Sequence, residues 1–382
     1  MRSGTSISGK PAGKVDTARG KGRTASGAWH KAGAGHKFTV YLLSVTLLLL
    51  CLLSGCGSKV PEVDGEKKTE ADKIRIGLCF DSFVIERWEK DRDVFVSTAR
   101  ELGAEVNVQN ANGELSEQIS QIEYFIQKDV DAIVIISIDG NALGDVVKKA
   151  KSKGIKVIAY DRMLNNCDAD LYVSFDNEMV GTLMAEALVA SELANNKVLM
   201  LQGSPTDNNV DQVRKGFDPV ISRNAVSVIG SMYADGWRAE DASEYLEAHS
   251  ELLEETDGIM CGNDNIATQV ARVLAENRKL GKIALVGQDA DLEACQRIVE
   301  GTQAMTVYKP VEKEAEAAAR GTVALIKGEE IEGAVYVSDG SYSIPGIMLD
   351  PIAVTRDNID ETIIESGFHL QEEVYLNVKS EP

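Results

Sequence analysis

Two residues of opposite charge follow apolar segments in the last third of this 382-residue chain. Asp289 comes shortly after the apolar run 283–286, and Lys309 directly follows the apolar run 305–308. In an open α/β sheet, ligands bind beyond the carboxyl ends of the strands. Since one side chain accepts hydrogen bonds and the other donates them, the pair predicts a cleft for a polar ligand.

Polar and aromatic residues follow the other apolar runs in the same way. Taken singly, an Asp or Asn at such a place is more often a helix N-cap, a Trp more often packs in the core, and an Arg more often pairs with a nearby Asp. Their recurrence in both halves of the chain favours one shared cleft. The candidate ligand-binding residues are Arg87, Trp88, Arg162, Asp207, Asn209, Trp237, Asn263, Asp289 and Lys309.

This set of side chains suits a sugar. Cations donate hydrogen bonds, carboxylates accept them and amides do both, which matches hydroxyl groups. The two indoles offer flat apolar faces for the C–H surface of a sugar ring. The sequence has no GxGxxG and no GxxxxGK[ST] loop for phosphate. It has no CxxC spacing, and only His249 and His369 follow the first 72 residues, so we expect neither a metal centre nor a cofactor.

The elements that position these residues alternate between strand and helix. Short apolar runs such as residues 132–136 suit strands that are buried on both faces, and amphipathic stretches of 10–18 residues separate them. The pattern predicts an α/β fold with two doubly wound parallel-sheet lobes. We expect residues 73–175 and 310–340 in the N-terminal lobe, and residues 176–309 and 341–382 in the C-terminal lobe.

Charge separates the beginning of the chain from the rest. Residues 1–55 carry a net charge of +7 and the remainder carries −27, which argues against nucleic acid as a partner. Residues 38–53 are uncharged and largely apolar, too short for a spanning helix and typical of a signal peptide. The polar stretch 56–72 reads as a tether.

Residues 53–56, Leu-Ser-Gly-Cys, resemble the lipobox of bacterial lipoproteins. The resemblance implies that residues 1–55 are removed as a lipoprotein signal peptide and that Cys56 carries the lipid. The protein would then be held on the outer side of the cell membrane. The alternative is an uncleaved membrane anchor with an incidental cysteine.

From about residue 73 to residue 369 the chain resembles the D-xylose-binding proteins of bacterial ABC sugar importers, in the ribose/galactose branch of the periplasmic binding proteins. The stretches that carry the resemblance are ERWEKDRDVFV, VQNANG, GIKVIAYDRM, YVSFDNEMVG, GSPTDNN, ADGW, GQDADL and GTQAMTVYKP. The resemblance implies that the nine candidate residues line a pentose site, with Arg87 and Arg162 from the N-terminal lobe and Lys309 near the hinge. It implies three crossings between the lobes, near residues 174–177, 308–310 and 338–346.

The resemblance also implies an extracytoplasmic binding protein that is not an enzyme. Its partners would be a monosaccharide and an ABC permease, and we expect a monomer. Three alternatives compete: a hydrolase that uses Asp207 and Asp289, the effector domain of a transcription regulator, and a receptor that signals to a membrane histidine kinase or chemoreceptor. The acidic composition and the export leader oppose the regulator, while gene neighbours would distinguish transport from sensing.

Overall fold

The computed structural model describes residues 73–378. The predicted signal peptide, the predicted lipidation site Cys56 and the predicted tether lie outside these residues. Within them, every helix is too short or too polar to cross a lipid bilayer.

Strands and helices alternate along the described residues, as the apolar runs predict. The strands are β1 (Ile74–Phe80), β2 (Ala104–Asn110), β3 (Ala132–Ile135), β4 (Lys156–Tyr160), β5 (Leu171–Phe175), β6 (Lys197–Gln202), β7 (Ser227–Tyr233), β8 (Gly258–Cys261), β9 (Ala284–Gln288), β10 (Met305–Tyr308), β11 (Val335–Ser338), β12 (Ser343–Leu349) and β13 (Ile352–Val354). The α-helices are α1 (Trp88–Glu101), α2 (Leu115–Gln127), α3 (Gly144–Ser152), α4 (Asn177–Ala190), α5 (Asn208–Arg223), α6 (Glu240–Ala248), α7 (Asp264–Glu276), α8 (Leu292–Glu300), α9 (Val311–Lys327) and α10 (Gln371–Val374). Short 3₁₀ turns form at Asp235–Trp237 and Ser250–Glu254, and one π-helical turn forms at Asp360–Ile364.

Each lobe contains one sheet, and the two sheets share a topology. The strand order is β11-β12-β5-β4-β3-β1-β2 in the first lobe and β13-β10-β9-β8-β6-β7 in the second. Five parallel strands in each sheet follow the doubly wound order 2-1-3-4-5, whose ligand crevice lies at the carboxyl ends of the strands. The predicted fold class is confirmed, and the antiparallel strands β11 and β13 add a mixed edge to each sheet.

Local sequence explains why these elements form. All four residues of β3 are fully buried, as expected for a central strand covered by helices on both faces. The amphipathic helix α8 ends at Gly301, whose φ of 78° is a left-handed conformation that glycine adopts without strain. Such caps and buried strands hold the strand ends of the crevice in fixed positions.

The chain passes between the lobes three times. It leaves the first sheet between β5 and α4, and returns between β10 and α9, which packs on α1 and β5. The third crossing differs from the expected residues 338–346. There β11 and β12 form an antiparallel hairpin, and β12 pairs with β5 in the first sheet, so the chain crosses at residues 350–351. The boundary expected between residues 340 and 341 is therefore displaced to the end of β12.

Candidate ligand-binding site

A cavity between the lobes has an empty volume of about 290 Å³, part of which is open to solvent. Eight of the nine predicted residues line the cavity, and Asn263 is the exception. The lining residues are Ile85, Arg87, Trp88, Asp161, Arg162, Asp207, Asn209, Trp237, Gln288, Asp289 and Lys309.

Arg162 follows β4 and lies between the two tryptophans. Its guanidinium carbon is 5.8 Å from the ring centre of Trp88 and 6.0 Å from that of Trp237. Nη1 donates to Oδ2 of Asp81 at 2.8 Å and to the carbonyl oxygen of Ser137 at 3.0 Å. Among the described residues Nη2 has no hydrogen-bond partner, although the side chain is buried. Arg162 therefore keeps two N–H groups for a ligand.

Arg87 immediately precedes α1 and has a different surrounding. Nε and Nη2 donate to the two carboxylate oxygens of Asp91 at 3.2 and 3.1 Å, and Nη1 donates to Oδ2 of Asp161 at 3.0 Å. Nη2 also donates to Oε2 of Glu314, on α9. Four hydrogen bonds thus use most of the five N–H groups of this guanidinium.

The wall formed by the second lobe is built on the turn between β6 and α5. Asp207 caps α5, since its Oδ1 accepts from the backbone N–H of Asn209 at 2.9 Å. Its Oδ2 accepts from Nε1 of Trp237 at 3.2 Å and lies 2.7 Å from Nε of Arg162. Gly203 makes room for the indole, because a Cβ atom there would lie 2.1 Å from Cη2 of Trp237. These contacts fix the ring of Trp237 at the cavity.

Asn209 connects the two lobes across the cavity. Its Nδ2 donates to Oδ1 of Asp161 at 2.9 Å, while its own Oδ1 has no partner in the described part of the chain. Burial alone would raise the pKa of Asp161, but Arg87, Lys309 and Arg162 bring that pKa below its ordinary value. Asp161 is therefore an anionic acceptor that faces three cations and one amide.

Asp289 and Lys309 form an ion pair, in which Nζ of Lys309 lies 3.3 Å from Oδ1 of Asp289. Both side chains are buried. Asp289 has a φ of 94°, and Asp161 and Trp237 also have positive φ values, of 59° and 61°. Non-glycine residues seldom adopt this conformation, and such strain concentrates at functional sites.

Asn263 occupies the N-cap of α7, where its Oδ1 accepts from the backbone N–H of Ile266 at 2.9 Å. This is the capping role that any single polar residue at a strand end most often has. Its part in ligand binding stays a prediction.

Three residues that line the cavity are not among the nine predicted from the sequence: Ile85, Asp161 and Gln288. Asp161 directly precedes Arg162 and was considered only as the partner of an arginine. Gln288 is the last residue of β9, and Ile85 is one of many apolar residues, so neither has a sequence signal that separates it from the core.

The arrangement is suited to binding rather than to metal or covalent chemistry. Three cations contact six carboxyl groups, and no cluster of His, Cys, Asp and Glu within residues 73–378 has the geometry of a metal site. The described cysteines are all free and buried. What the cavity offers is a mixture of donors, acceptors and two indole faces.

Comparisons with known proteins agree with this geometry. The model of the periplasmic binding protein domain matches residues 76–330. The D-xylose-binding periplasmic proteins of Haemophilus influenzae and Escherichia coli are 47% and 43% identical over 79% and 80% of this chain, and 92% and 93% of their own lengths. An ABC transporter solute-binding protein from Clostridium phytofermentans, solved with bound β-D-glucose, is 27% identical with a TM-score of 0.72 and covers 78% of this chain and 99% of its own. The chain therefore belongs to the periplasmic binding protein family, a family that binds solutes without converting them, and groups there with the D-xylose-binding proteins.

Proposed function

We propose that this protein binds D-xylose, or a similar monosaccharide, in the cavity between its lobes and delivers it to an ABC permease. The observation that carries the proposal is the set of buried polar atoms that line the cavity without a hydrogen-bond partner in residues 73–378. They are Nη2 of Arg162, Oδ1 of Asn209, Oε1 of Gln288 and Nε1 of Trp88. Buried polar groups are normally paired, so these atoms point to a ligand with several hydroxyls.

Both lobes contribute to the cavity and also touch each other beside it. The Oγ1 of Thr206 donates to the carbonyl of Ile138 at 3.0 Å, and the backbone N–H of Met163 donates to Oδ1 of Asn208 at 2.9 Å. A buried sugar enters only when such contacts open. The ligand then favours the closed form because it contacts both lobes only there. The closed form is the one that would dock on the permease.

Specificity would come from desolvated hydrogen bonds. A sugar that lacks a hydroxyl leaves a buried polar atom such as Nη2 of Arg162 without a hydrogen-bond partner, which costs more than the bond itself contributes. The site therefore discriminates by the position of hydroxyls.

Intrinsic fluorescence tests the binding directly. Trp88 and Trp237 are the tryptophans of residues 73–378, and both line the cavity. Titration with D-xylose should give a saturable change, while D-ribose, L-arabinose, D-glucose and xylitol measure the selectivity. If none of the sugars changes the fluorescence spectrum, the proposal is wrong.

The relatives do not favour the signalling alternative. Adjacent permease and ATPase genes would support transport.

We also propose that the protein is tethered outside the cytoplasm through a lipid on Cys56. The apolar stretch 38–53 and the Leu-Ser-Gly-Cys sequence that ends at Cys56 support it. A single acyl chain binds membranes weakly, so stable anchoring needs more than one chain. Cys56→Ala should abolish incorporation of labelled fatty acid, whereas Cys51→Ala should retain it. Equal labelling of both variants would contradict the anchor.

A further inference from the structure

The carboxyl groups around Arg87 outnumber the charges that could balance them. Asp91, Asp161 and Glu314 all contact this one guanidinium, and the side chain of Glu314 is 0% exposed. Lys309 and Arg162 are further cations nearby, but Lys309 pairs with Asp289, and Arg162 pairs with Asp81 and Asp207. If all three acids were ionised, a buried cluster would carry excess negative charge, which a low-dielectric interior does not support.

The surroundings indicate which of the three acids is neutral. Asp161 faces Arg87, Lys309 and Arg162, and its pKa lies below the ordinary value in spite of burial. Asp91 accepts from two nitrogens of Arg87 and from the hydroxyl of Tyr160. Glu314 has a single contact with Arg87, and its Oε1 has no partner in the described part of the chain. Glu314 is thus the acid with the least support for a charge.

Electrostatics agree with this assignment. Burial raises the pKa of Glu314 well above its ordinary value, and the neighbouring Asp161 and Asp91 raise it further, while Arg87 and Lys309 oppose them. Glu314 lies in the first turn of α9, where the helix dipole favours an anion. That effect is smaller than the cost of placing a charge in a fully buried position.

We infer that Glu314 is a positioning residue for the sugar site. It is a neutral acid that holds Arg87 at the cavity without adding a further charge. Glu314 follows the crossing at residues 309–310 by only four positions, and Arg87 lies on the first lobe. The contact between Glu314 and Arg87 therefore fixes the segment that follows Lys309 relative to the wall of the cavity. This inference rests on the proposed sugar binding.

Two substitutions separate a neutral role from an ionic one. Glu314→Ala removes the acceptor, lets Arg87 move and should weaken D-xylose binding about tenfold. Glu314→Gln keeps the shape and a neutral acceptor, so it should restore most of that loss. Glu316→Gln is the matched control, since Glu316 is exposed on the same helix. If Glu314→Gln loses as much affinity as Glu314→Ala, Glu314 works as an anion and the inference is wrong.

The dependence of stability on pH gives a readout that does not require sugar. An acid whose pKa is higher in the folded than in the unfolded protein binds more protons when folded, so stability falls as pH rises between the two pKa values. Between about pH 5 and about pH 8, the Tm of Glu314→Gln should fall less than that of the wild type. Asp264, whose pKa burial raises to about 7, contributes a slope that both proteins share.

The two experiments distinguish a failure of the inference about Glu314 from a failure of the proposed sugar binding. A Glu314→Gln protein with an unchanged pH slope and a lower Tm at every pH would overturn the inference. A wild-type protein that binds none of the sugars would overturn the proposed function instead, and the comparison of Tm values would still decide the state of Glu314.

Discussion

Arg87 and Arg162 contribute the same guanidinium to the same cavity, but their surroundings give them different capacities. Arg87 makes four hydrogen bonds to three carboxyl groups. Nη1 of Arg162 is bound by Asp81 and Ser137, while within residues 73–378 Nη2 has no partner. One arginine is held almost completely by protein, and the other keeps donors for a hydroxyl group.

The difference shows that the type of a residue does not determine its role at a site. Both arginines follow strands of the first lobe, and both were predicted as ligand donors. Arg87 is better described as the centre of a buried network that shapes the wall. Arg162 has the geometry of a direct contact, since it lies between the two indoles and faces carboxylates of both lobes.

The largest effect is expected from Arg162→Met. The substitution removes the donors that face the cavity and leaves Asp81 and Asp207 buried without their cation. Removing one partner of a buried, hydrogen-bonded charge pair costs about 3–5 kcal/mol. We expect the affinity for D-xylose to fall by about a hundredfold or more, as measured by calorimetry.

Arg87→Met sharpens the comparison. It leaves Asp91, Asp161 and Glu314 without their shared cation, so the principal loss should be a lower Tm. Arg214→Met is the matched control, because the contacts of Arg214 with Asp218 and Tyr233 are exposed. If Arg87→Met and Arg162→Met change affinity and Tm in the same proportion, the two arginines do not differ in role.

A smaller effect is expected from Trp237→Ala. The indole supplies an apolar face to the cavity and donates to Asp207, so its loss removes stacking and one donor from a buried carboxylate oxygen. The affinity for D-xylose should fall at least about tenfold, which corresponds to about 1.4 kcal/mol. Calorimetry is the suitable measurement, because the variant lacks one of the two fluorescent reporters.

Gly203→Ala tests the same ring without removing it. A Cβ atom at this position would overlap the indole of Trp237, so the ring must move and the affinity should fall in the same direction. Gly113→Ala is not a suitable control, because Gly113 has a φ of 80° and would itself be strained. Wild-type affinity in both Trp237→Ala and Gly203→Ala would exclude Trp237 from the site.

Most of the fold could be predicted from the sequence because its parallel strands are buried on both faces. Such strands appear as continuous apolar runs, as in β3 and β10. The hairpin of β11 and β12 lies at the edge of the sheet, and most residues of β11 are exposed. The third crossing, which the family resemblance implied rather than the strand pattern, lies beyond the expected residues 338–346 because β12 continues the first sheet.

The site was predictable to the extent that its residues stand at strand ends. Eight candidates meet at the cavity because the carboxyl ends of parallel strands converge there. Glu314 was not predicted, since it lies within α9 and reaches Arg87 only through packing that joins positions 227 residues apart, whereas Asp91 lies one helical turn from Arg87. Which N–H groups remain for a ligand depends on that packing, and therefore required the structure.

Asn263 is the position where capping and binding compete, and a conservative change separates them. Its Oδ1 caps α7 by accepting from the backbone N–H of Ile266. The cap uses the oxygen of the amide and leaves the donor Nδ2 for another partner. Ser is about as good an N-cap as Asn but has no amide donor, so Asn263→Ser should preserve the Tm. If Nδ2 donates to the sugar, the affinity of the Ser variant should fall by about threefold to tenfold, the net value of one hydrogen bond.

Asn263→Ala should lose both affinity and about 1 kcal/mol of stability. A Ser variant with wild-type affinity would make Asn263 a helix cap alone, and Asn209 would then be the asparagine whose amide serves the ligand.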